Sequence, residues 1–253
     1  MTGSVVRAVI FDWGGTLTPW HQIDFAGQWH AYARQHATAS GRTDQEAEAL
    51  AERILANERE AWLRLRGDGG SARLEEILAA SGVRSDDPGH PAGQAAYEEF
   101  WEPHTVTDPQ VRPLWKGLRE RGVRVGVLSN TIWSRAYHDA VFARDGVLDL
   151  IDGAVYTSEI SHAKPHREAF AAALAAVGVD DPTSAVYVGD RPYEDVHGAQ
   201  QAGLRAVLVP HSDIPPDQQV PVDVQPDAVI HELLDLLPLV DAWSGRSAPT
   251  VSC

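Results

Sequence analysis

The chain has 253 residues and a formal net charge of −15, from 36 acidic and 21 basic side chains. This charge argues against proteins that bind the phosphate backbone of nucleic acids, because those need a basic face. No apolar run is long enough to span a membrane, and the single cysteine, Cys253, cannot form an internal disulfide. We therefore expect a cytoplasmic protein that acts on a small molecule and consists of one large domain, or of a core with one insertion.

Short apolar strands alternate with helical patterns along most of the chain. The first strand is predicted at "VVRAVIF", residues 5–11, and similar strands are predicted at residues 123–129, 185–189 and 205–209. Helical patterns lie between or beside them, at residues 167–179 and 193–204. This alternation predicts an α/β fold, with a Rossmann-like parallel sheet as its core and helices on both faces of the sheet.

A different pattern fills residues 20–105, where no strand is predicted. Apolar residues recur at helical spacing over residues 44–67, and residues 71–82 have the start and stop signals of another helix. We therefore predict a helical insertion at residues 20–105, between the two parts of the core. The predicted boundaries are residues 1–19 and 106–240 for the core and residues 241–253 for a disordered tail.

Polar residues that suit phosphate chemistry follow the predicted strands. Asp12 follows the first strand in "DWGGT", Ser129 ends the second in "LSNT", and Asp190 follows the third in "VGDRPYED". Because ligands of such sheets bind beyond the carboxyl ends of the strands, we expect these residues to converge there with Lys164. They supply a carboxylate nucleophile, a hydroxyl, a cation and the oxygen ligands that Mg²⁺ prefers, which together indicate phosphoryl transfer.

The order and spacing of these motifs resemble the haloacid dehalogenase superfamily. Its pattern is an aspartate with glycine and threonine after the first strand, then a serine or threonine, a lysine, and a glycine–aspartate pair with a second acid five residues on. The resemblance covers residues 5 to about 210, and the insertion at residues 20–105 is similar to the family's helical cap. It implies an α/β core whose active site is closed by that cap.

The resemblance also implies a role for each matching residue. Asp12 would attack phosphorus and form an aspartyl phosphate, with Lys164 paired to it and to the phosphate. Ser129 and Asn130 would contact the phosphate oxygens of the substrate. Mg²⁺ would be held by the carboxylates of Asp12, Asp190 and Asp195 and by the backbone carbonyl of Gly14.

Gly14 departs from the family pattern. Family phosphatases carry a second aspartate at this position, which protonates the leaving oxygen and then activates water, whereas Gly14 has no side chain. Its carbonyl remains, so metal binding does not depend on the missing acid. Three compensations are open: a leaving group that needs no proton, such as that of an acyl phosphate; an acid from the insertion, with His21 and Asp24 as candidates; or slow turnover.

Three family branches that lack this aspartate differ from the chain in other ways. Haloacid dehalogenases carry a tyrosine there and no metal-ligating acid at the position of Asp190, although they resemble the chain at Ser129 and Asn130. Phosphonoacetaldehyde hydrolases resemble "DWGGT" but need a lysine in the cap, and residues 20–105 contain none. P-type ion pumps carry a threonine and need a membrane span. A metal-dependent phosphohydrolase is therefore favoured.

Two tryptophans beside the motifs, Trp13 and Trp133, fit two interpretations: they wedge the cap against the core, or they line an apolar substrate pocket. The leading prediction is a Mg²⁺-dependent hydrolase of a small phosphorylated metabolite. Two alternatives stay open, a hydrolase of carbon–halogen bonds and a catalytically weak family member that serves as a binding or regulatory protein. The sequence predicts neither the substrate nor the oligomeric state.

Overall fold

The computed structural model describes residues 5–21, 23–67, 72–214 and 218–246. Six strands are present: β1 Ala8–Phe11, β2 Arg124–Ser129, β3 Gly153–Tyr156, β4 Ala185–Gly189, β5 Arg205–Leu208 and β6 Ala228–Val229. They form one sheet in the order β3-β2-β1-β4-β5-β6, and every neighbouring pair is parallel. The predicted α/β fold with a parallel sheet is therefore confirmed.

The central strand, β1, is apolar and buried along its whole length. Ala8 and Ile10 face one layer of the core, whereas Val9 and Phe11 face the other, as the alternation of side chains along a strand requires. Such a continuous apolar run is typical of a strand covered on both faces. Phe11 is in register with residues of both β2 and β4, so the chain leaves β1 between the carboxyl ends of its two neighbours.

Helices cover both faces of this sheet. The helices of the core are α5 Val111–Glu120, α6 Arg135–Arg144, α7 Arg167–Ala176, α8 Gly198–Gln201 and α9 Leu236–Trp243. The predicted glycine stop of the helix at residues 167–179 is confirmed, because Gly178 adopts a φ of +65° directly after α7.

Between β1 and α5 the chain is helical, and we call residues 20–105 the helical segment. Its helices are α1 Gly27–Ala39, α2 Asp44–Gly67, α3 Leu74–Ala80 and α4 His90–Trp101, followed by a 3₁₀ turn at Glu102–His104. The predicted helix at residues 44–67 matches α2, and the described part of the segment contains no strand. Across the described ranges of the chain, no helix combines the length and the apolar character that a membrane crossing requires.

Several predicted boundaries differ from the structure. The strands β3 and β6 were not expected, because each is short and lies towards an edge of the sheet. The predicted helix at residues 193–204 is instead a π-helical turn, Pro192–His197, followed by the short α8. The tail was predicted to start at residue 241, but α9 extends to Trp243. Residues 247–253 of that predicted tail, and Ser71 at the predicted start of α3, lie outside the described residues.

Candidate active site

Three carboxylates meet at the carboxyl end of the sheet. Asp12 follows β1, Asp190 follows β4, and Asp195 lies in the π-helical turn after β4. One oxygen from each can be chosen so that all three lie within 4.8 Å of one another. All three side chains are buried, with Asp12 only 5% exposed. The sheet topology brings them together because β4 lies directly beside β1.

A buried lysine pairs with two of these acids. Lys164 Nζ lies 3.0 Å from Asp12 Oδ1 and 2.7 Å from Asp195 Oδ1, and it donates a third hydrogen bond of 2.8 Å to the hydroxyl of Tyr187. The Tyr187 hydroxyl in turn donates to the carbonyl of Leu128 in β2, at 2.8 Å. All three ammonium protons of Lys164 therefore have partners, which fixes the charge beside the candidate nucleophile.

Asn130 holds Lys164 in place through its backbone. The Asn130 amide Nδ2 donates to the Lys164 carbonyl at 3.0 Å, and its Oδ1 accepts from the Lys164 N–H at 2.9 Å. Both hydrogen-bonding groups of the amide are thus directed at the lysine. A contact between Asn130 and the substrate phosphate was expected from the sequence and stays a prediction. The contacts of Asn130 in the structure are those of a residue that positions Lys164.

Burial dominates the electrostatics of the acids. Burial raises the pKa of Asp12 to about 6, although Lys164 acts in the opposite direction. Burial, assisted by the charges of Asp195 and Asp12, raises the pKa of Asp190 to about 8. Burial by itself would lower the pKa of Lys164, but Asp12 and Asp195 outweigh it and raise that pKa above its usual value. Arg191 and Lys164 both act to lower the pKa of Asp190, but burial and the two neighbouring acids outweigh them.

The loop after β1 supports two of the carboxylates. The Trp13 backbone N–H donates to Asp12 Oδ1 at 2.8 Å, and the Thr16 hydroxyl donates to Asp190 Oδ1 at 3.1 Å. Gly15 adopts a φ of +89°, and a Cβ built there would lie 2.6 Å from Asp190 Oδ2. Position 15 therefore needs glycine both for its backbone conformation and for its close approach to Asp190.

Ser129 ends β2 beside this loop and is buried. Its carbonyl accepts from the Thr157 N–H at 3.0 Å, while its hydroxyl makes no hydrogen bond to the described part of the chain. The hydroxyl is thus available to a ligand, in keeping with its predicted role in phosphate binding, which stays a prediction.

Trp13 and Trp133 pack directly against each other. Their ring centroids are 5.2 Å apart at an interplanar angle of 78°. Trp133 also reaches the helical segment, where its indole Nε1 donates to the Tyr97 hydroxyl of α4 at 2.6 Å. On its outer side Trp133 lines a cavity of about 1050 Å³ between α3, α4 and α6. Trp133 thus joins the helical segment to the core, which fits the first interpretation. Neither Trp13 nor Asp12 lines this cavity, so the role of the two tryptophans in a substrate pocket stays a prediction.

The two predicted replacement acids do not lie among the buried carboxylates. Asp24 Oδ1 accepts the N–H groups of Ala26 and Gly27 at 3.1 and 3.0 Å, so Asp24 serves the start of α1. His21 is 62% exposed and pairs with Asp213, which is also largely exposed. In this arrangement neither side chain is directed at Asp12.

Residues that the sequence analysis did not single out also build the site. Tyr187 binds Lys164 from the middle of β4, where it had been assigned only to an apolar strand. After β5, Ser212 donates to the Gly15 carbonyl at 2.5 Å, and His211 Nε2 lies 3.0 Å from the Thr16 carbonyl. A tyrosine hydroxyl within a buried strand was a signal for Tyr187, since such a hydroxyl needs a polar partner. Nothing in the sequence pointed to the loop at residues 209–214.

Comparison with known proteins extends the resemblance over nearly the whole chain. A family model for haloacid dehalogenase-like hydrolases matches residues 6–203. The glyceraldehyde 3-phosphate phosphatase of Methanopyrus kandleri is 28% identical over 238 residues, which cover 92% of this chain and 97% of that protein. A 2-haloacid dehalogenase structure from Pseudomonas syringae superposes with a TM-score of 0.64 at 25% identity, over 94% of this chain and 99% of that one. A HAD phosphatase structure from Thermococcus onnurineus gives a TM-score of 0.63 at 22% identity, covering 93% and 98% of the two chains.

Proposed function

The chain belongs to the haloacid dehalogenase-like hydrolases, and on this basis we propose that it is a Mg²⁺-dependent phosphatase of a small phosphorylated metabolite, acting through an aspartyl phosphate at Asp12. The observation that carries the proposal is the buried cluster in which Lys164 lies 3.0 Å from Asp12, beside two further carboxylates. Relatives named for phosphatase activity, including the glyceraldehyde 3-phosphate phosphatase, support the same class of substrate.

The donor set fits Mg²⁺. Asp12, Asp190 and Asp195 offer carboxylate oxygens within 4.8 Å of one another, and hard oxygen ligands are what Mg²⁺ requires. Burial raises the pKa of Asp12 and of Asp190 although Lys164 acts in the opposite direction, so both acids would need further positive charge to stay ionised. A divalent cation would supply it, and the carbonyl of Gly14 is a further ligand in this proposal. When bound, Mg²⁺ would neutralise the negative charge of the substrate phosphate.

In this proposal, four residues of the chain have separate roles in phosphoryl transfer. Asp12 attacks phosphorus, and Lys164 stabilises the negative charge that gathers between the carboxylate and the phosphate. Ser129 donates its unpartnered hydroxyl to a phosphate oxygen. Asn130 holds the backbone of Lys164 and so keeps the ammonium group 3.0 Å from the nucleophile.

The helical segment would serve as the cap of this site. Its α4 is tied to the loop after β2 by the hydrogen bond between Trp133 and Tyr97, close to Trp13 and hence to Asp12. The low exposure of Asp12, only 5%, supports a cap that excludes water from the site. Exclusion of water strengthens the electrostatic interactions of the nucleophile with Lys164.

Phosphate release from a panel of acyl, aryl and sugar phosphates, measured with Mg²⁺ and with EDTA, tests the proposal. We expect activity that EDTA abolishes and that Asp12→Asn lowers by at least about 10³-fold, since an amide cannot form the aspartyl phosphate. Asp180→Asn, which changes an exposed acid away from the site, is the matched control and should keep wild-type activity.

The same assay decides between the proposal and its alternatives. Halide release from 2-haloacids without Mg²⁺, in the absence of phosphatase activity, would support the carbon–halogen hydrolase instead. The buried acids at positions 190 and 195 count against that alternative, because a halide displacement has no need of a metal site. Binding of phosphorylated ligands without turnover would support a binding or regulatory protein.

A further inference from the structure

Gly14 has no room for a side chain, because the indole of Trp20 lies over it. A Cβ built on Gly14 would be 2.5 Å from Trp20 Cη2 and closer still to Cζ2. Protein Cβ atoms essentially never come within 3.0 Å of a neighbouring atom, so one of the two residues would have to move. The fold therefore leaves no space for an acidic side chain at position 14, because the Trp20 indole fills the space beside Gly14.

The Trp20 side chain is fixed in this position. Its Nε1 donates to the His104 carbonyl at 3.1 Å, and its backbone N–H donates to the Ser212 hydroxyl at 3.0 Å. Its ring lies 6.0 Å from that of Phe25 and 5.8 Å from that of Trp101, measured between centroids. The contacts of the indole all come from the helical segment, while the bond to Ser212 fixes the Trp20 backbone to the core. The ring is therefore held at its backbone, its N–H and its faces, unlike the end of a flexible side chain.

Four titratable groups lie close to Trp20 in sequence or contact, and each is directed elsewhere. The ring of His104 packs against those of Phe100 and Trp101, and burial lowers its pKa. Asp24 accepts the first N–H groups around the start of α1, and His21 faces Asp213 at the surface. His211 Nε2 lies 3.0 Å from the Thr16 carbonyl, and burial lowers its pKa. Within the described ranges, therefore, these groups do not replace the proton donor that position 14 lacks.

We propose that the pair of Gly14 and Trp20 restricts the Asp12 site to phosphate donors whose leaving group departs as a stable anion, with acyl phosphates as the substrate class. This inference rests on the proposed function, because it assumes that Asp12 accepts the phosphoryl group. It adds that the missing proton donor at position 14 selects the leaving group, and that Trp20 occupies the space which a side chain there would need.

The chemistry of both steps balances without an acid at position 14. First, an Asp12 oxygen bonds to phosphorus, the bond between phosphorus and the acyl oxygen breaks, and the acyl carboxylate leaves with the electron pair. Water then bonds to phosphorus, the bond to Asp12 breaks, and both protons of the water stay on the released dihydrogen phosphate. An alkyl phosphate would instead release a strongly basic alkoxide, which needs a proton in the first step.

The test compares acetyl phosphate with glycerol 3-phosphate in the full chain with Mg²⁺. The proteins are the wild type, Trp20→Ala, and the double variants Gly14→Asp/Trp20→Ala and Gly14→Asn/Trp20→Ala. The asparagine variant is the matched control, because it has the size of the aspartate but cannot act as its acid. Rapid-quench labelling of Asp12 and phosphate release are both measured, so that transfer to Asp12 is separated from hydrolysis.

We expect the wild type and Trp20→Ala to label Asp12 with acetyl phosphate at least about 10²-fold faster than with glycerol 3-phosphate. With glycerol 3-phosphate, the aspartate double variant should label Asp12 about 10²-fold faster than the asparagine double variant. With acetyl phosphate, the labelling rates of these two variants should differ by less than about threefold. Equal labelling of the wild type by both donors would overturn the inference and leave the proposed function intact. Faster labelling of Asp12 by glycerol 3-phosphate in the single variant Trp20→Ala than in the wild type would also overturn the inference. Absence of labelling by either donor would overturn the proposed function, and this inference with it.

A second measurement needs no variant and covers the case in which the double variants do not fold. The wild type is assayed with a series of aryl phosphates whose phenols differ in acidity. Without a proton donor, the rate of Asp12 labelling should fall steeply as the phenol becomes more basic. A rate that is independent of the phenol's acidity would contradict the inference.

Discussion

At the scale of single residues, the site brings three buried carboxylic acids together, those of Asp12, Asp190 and Asp195. Lys164 is shared between Asp12 and Asp195, whereas Asp190 receives only the hydroxyl of Thr16 among its hydrogen bonds in the described structure. Burial, with the charges of Asp195 and Asp12 beside it, opposes the ionisation of Asp190 and raises its pKa from 3.8 to about 8. A bound cation would stabilise these buried acids in their ionised form, which is unfavourable without one.

This charge predicts how the stability of the metal-free protein depends on pH. The folded protein keeps a proton on Asp190 that the unfolded chain has already lost, so the free energy of unfolding should fall as pH rises from about 4 to about 8. The slope from this group is up to about 1.4 kcal/mol per pH unit. Denaturant unfolding of the wild type and Asp190→Asn, in EDTA at pH 5, 6.5 and 8, measures it.

The contribution of Asp190 is the difference in unfolding free energy between the two proteins, because their other titratable groups are shared. We expect the wild type to lose stability relative to Asp190→Asn as pH rises. Mg²⁺ should remove most of this pH dependence, because it stabilises the ionised carboxylates. A difference that stays constant from pH 5 to 8 in EDTA would show that Asp190 ionises normally and that the charge of the site is already balanced.

At the scale of elements, α4 and the loop after β2 meet through buried aromatic rings. Trp133 packs edge-on against Trp13 at 5.2 Å and against Trp101 at 4.8 Å, and it gives its indole N–H to Tyr97. The last contact is a buried hydrogen bond that links the helical segment to the core. It joins α4 to Trp133, which packs against Trp13, the residue that directly follows Asp12 in the chain.

Loss of the acceptor in this hydrogen bond should be costly. In Tyr97→Phe the buried N–H of Trp133 loses its partner, which should lower the free energy of unfolding by about 1–3 kcal/mol. Tyr193→Phe, at a tyrosine whose hydroxyl makes no hydrogen bond within the described structure, is the control and should change it by less than about 0.5 kcal/mol. Denaturant unfolding measures both. Equal stabilities of the two variants would show that the aromatic packing alone joins α4 to the core.

The sequence predicts those parts of the molecule whose signal is local. The strand β1 is a continuous apolar run, and α2 has helical periodicity with a charged face, so both were expected from the pattern. The short edge strands β3 and β6 have too few residues to show a period. The acids and Lys164 could be assigned to one site because strand ends of a parallel sheet share one edge.

Contacts between residues that are far apart in the sequence cannot be predicted from local patterns of this kind. Trp20 covers Gly14 only because His104 and Ser212 hold it there, and these residues are 84 and 192 positions away. The sequence shows that the acid at position 14 is missing, but not that an indole fills its place. For the same reason the substitution Gly14→Asp, which the motif alone suggests as a repair, requires a change at Trp20 as well.

At the scale of the whole molecule, the helical segment and the core close around the candidate site at several points. The Leu74 N–H at the start of α3 donates to the Ile132 carbonyl at 3.0 Å, and Arg73 Nε donates to the Ser158 carbonyl at 2.7 Å. The Trp20 backbone N–H, which donates to the Ser212 hydroxyl of the core at 3.0 Å, makes a further connection. Because Asp12 is only 5% exposed, we propose that these contacts open to admit the substrate and that turnover alternates between open and closed states.

The central claim is that Asp12 accepts a phosphoryl group, and rapid-quench mass spectrometry with acetyl phosphate and Mg²⁺ tests it most directly. The account predicts that, within the first turnover, the intact chain gains the mass of one phosphoryl group. Peptide mapping should locate this group on Asp12, hydroxylamine should remove it, and Asp12→Asn should not form it. Release of phosphate by a chain that never carries the group on Asp12 would contradict the account, because another group would then be the nucleophile.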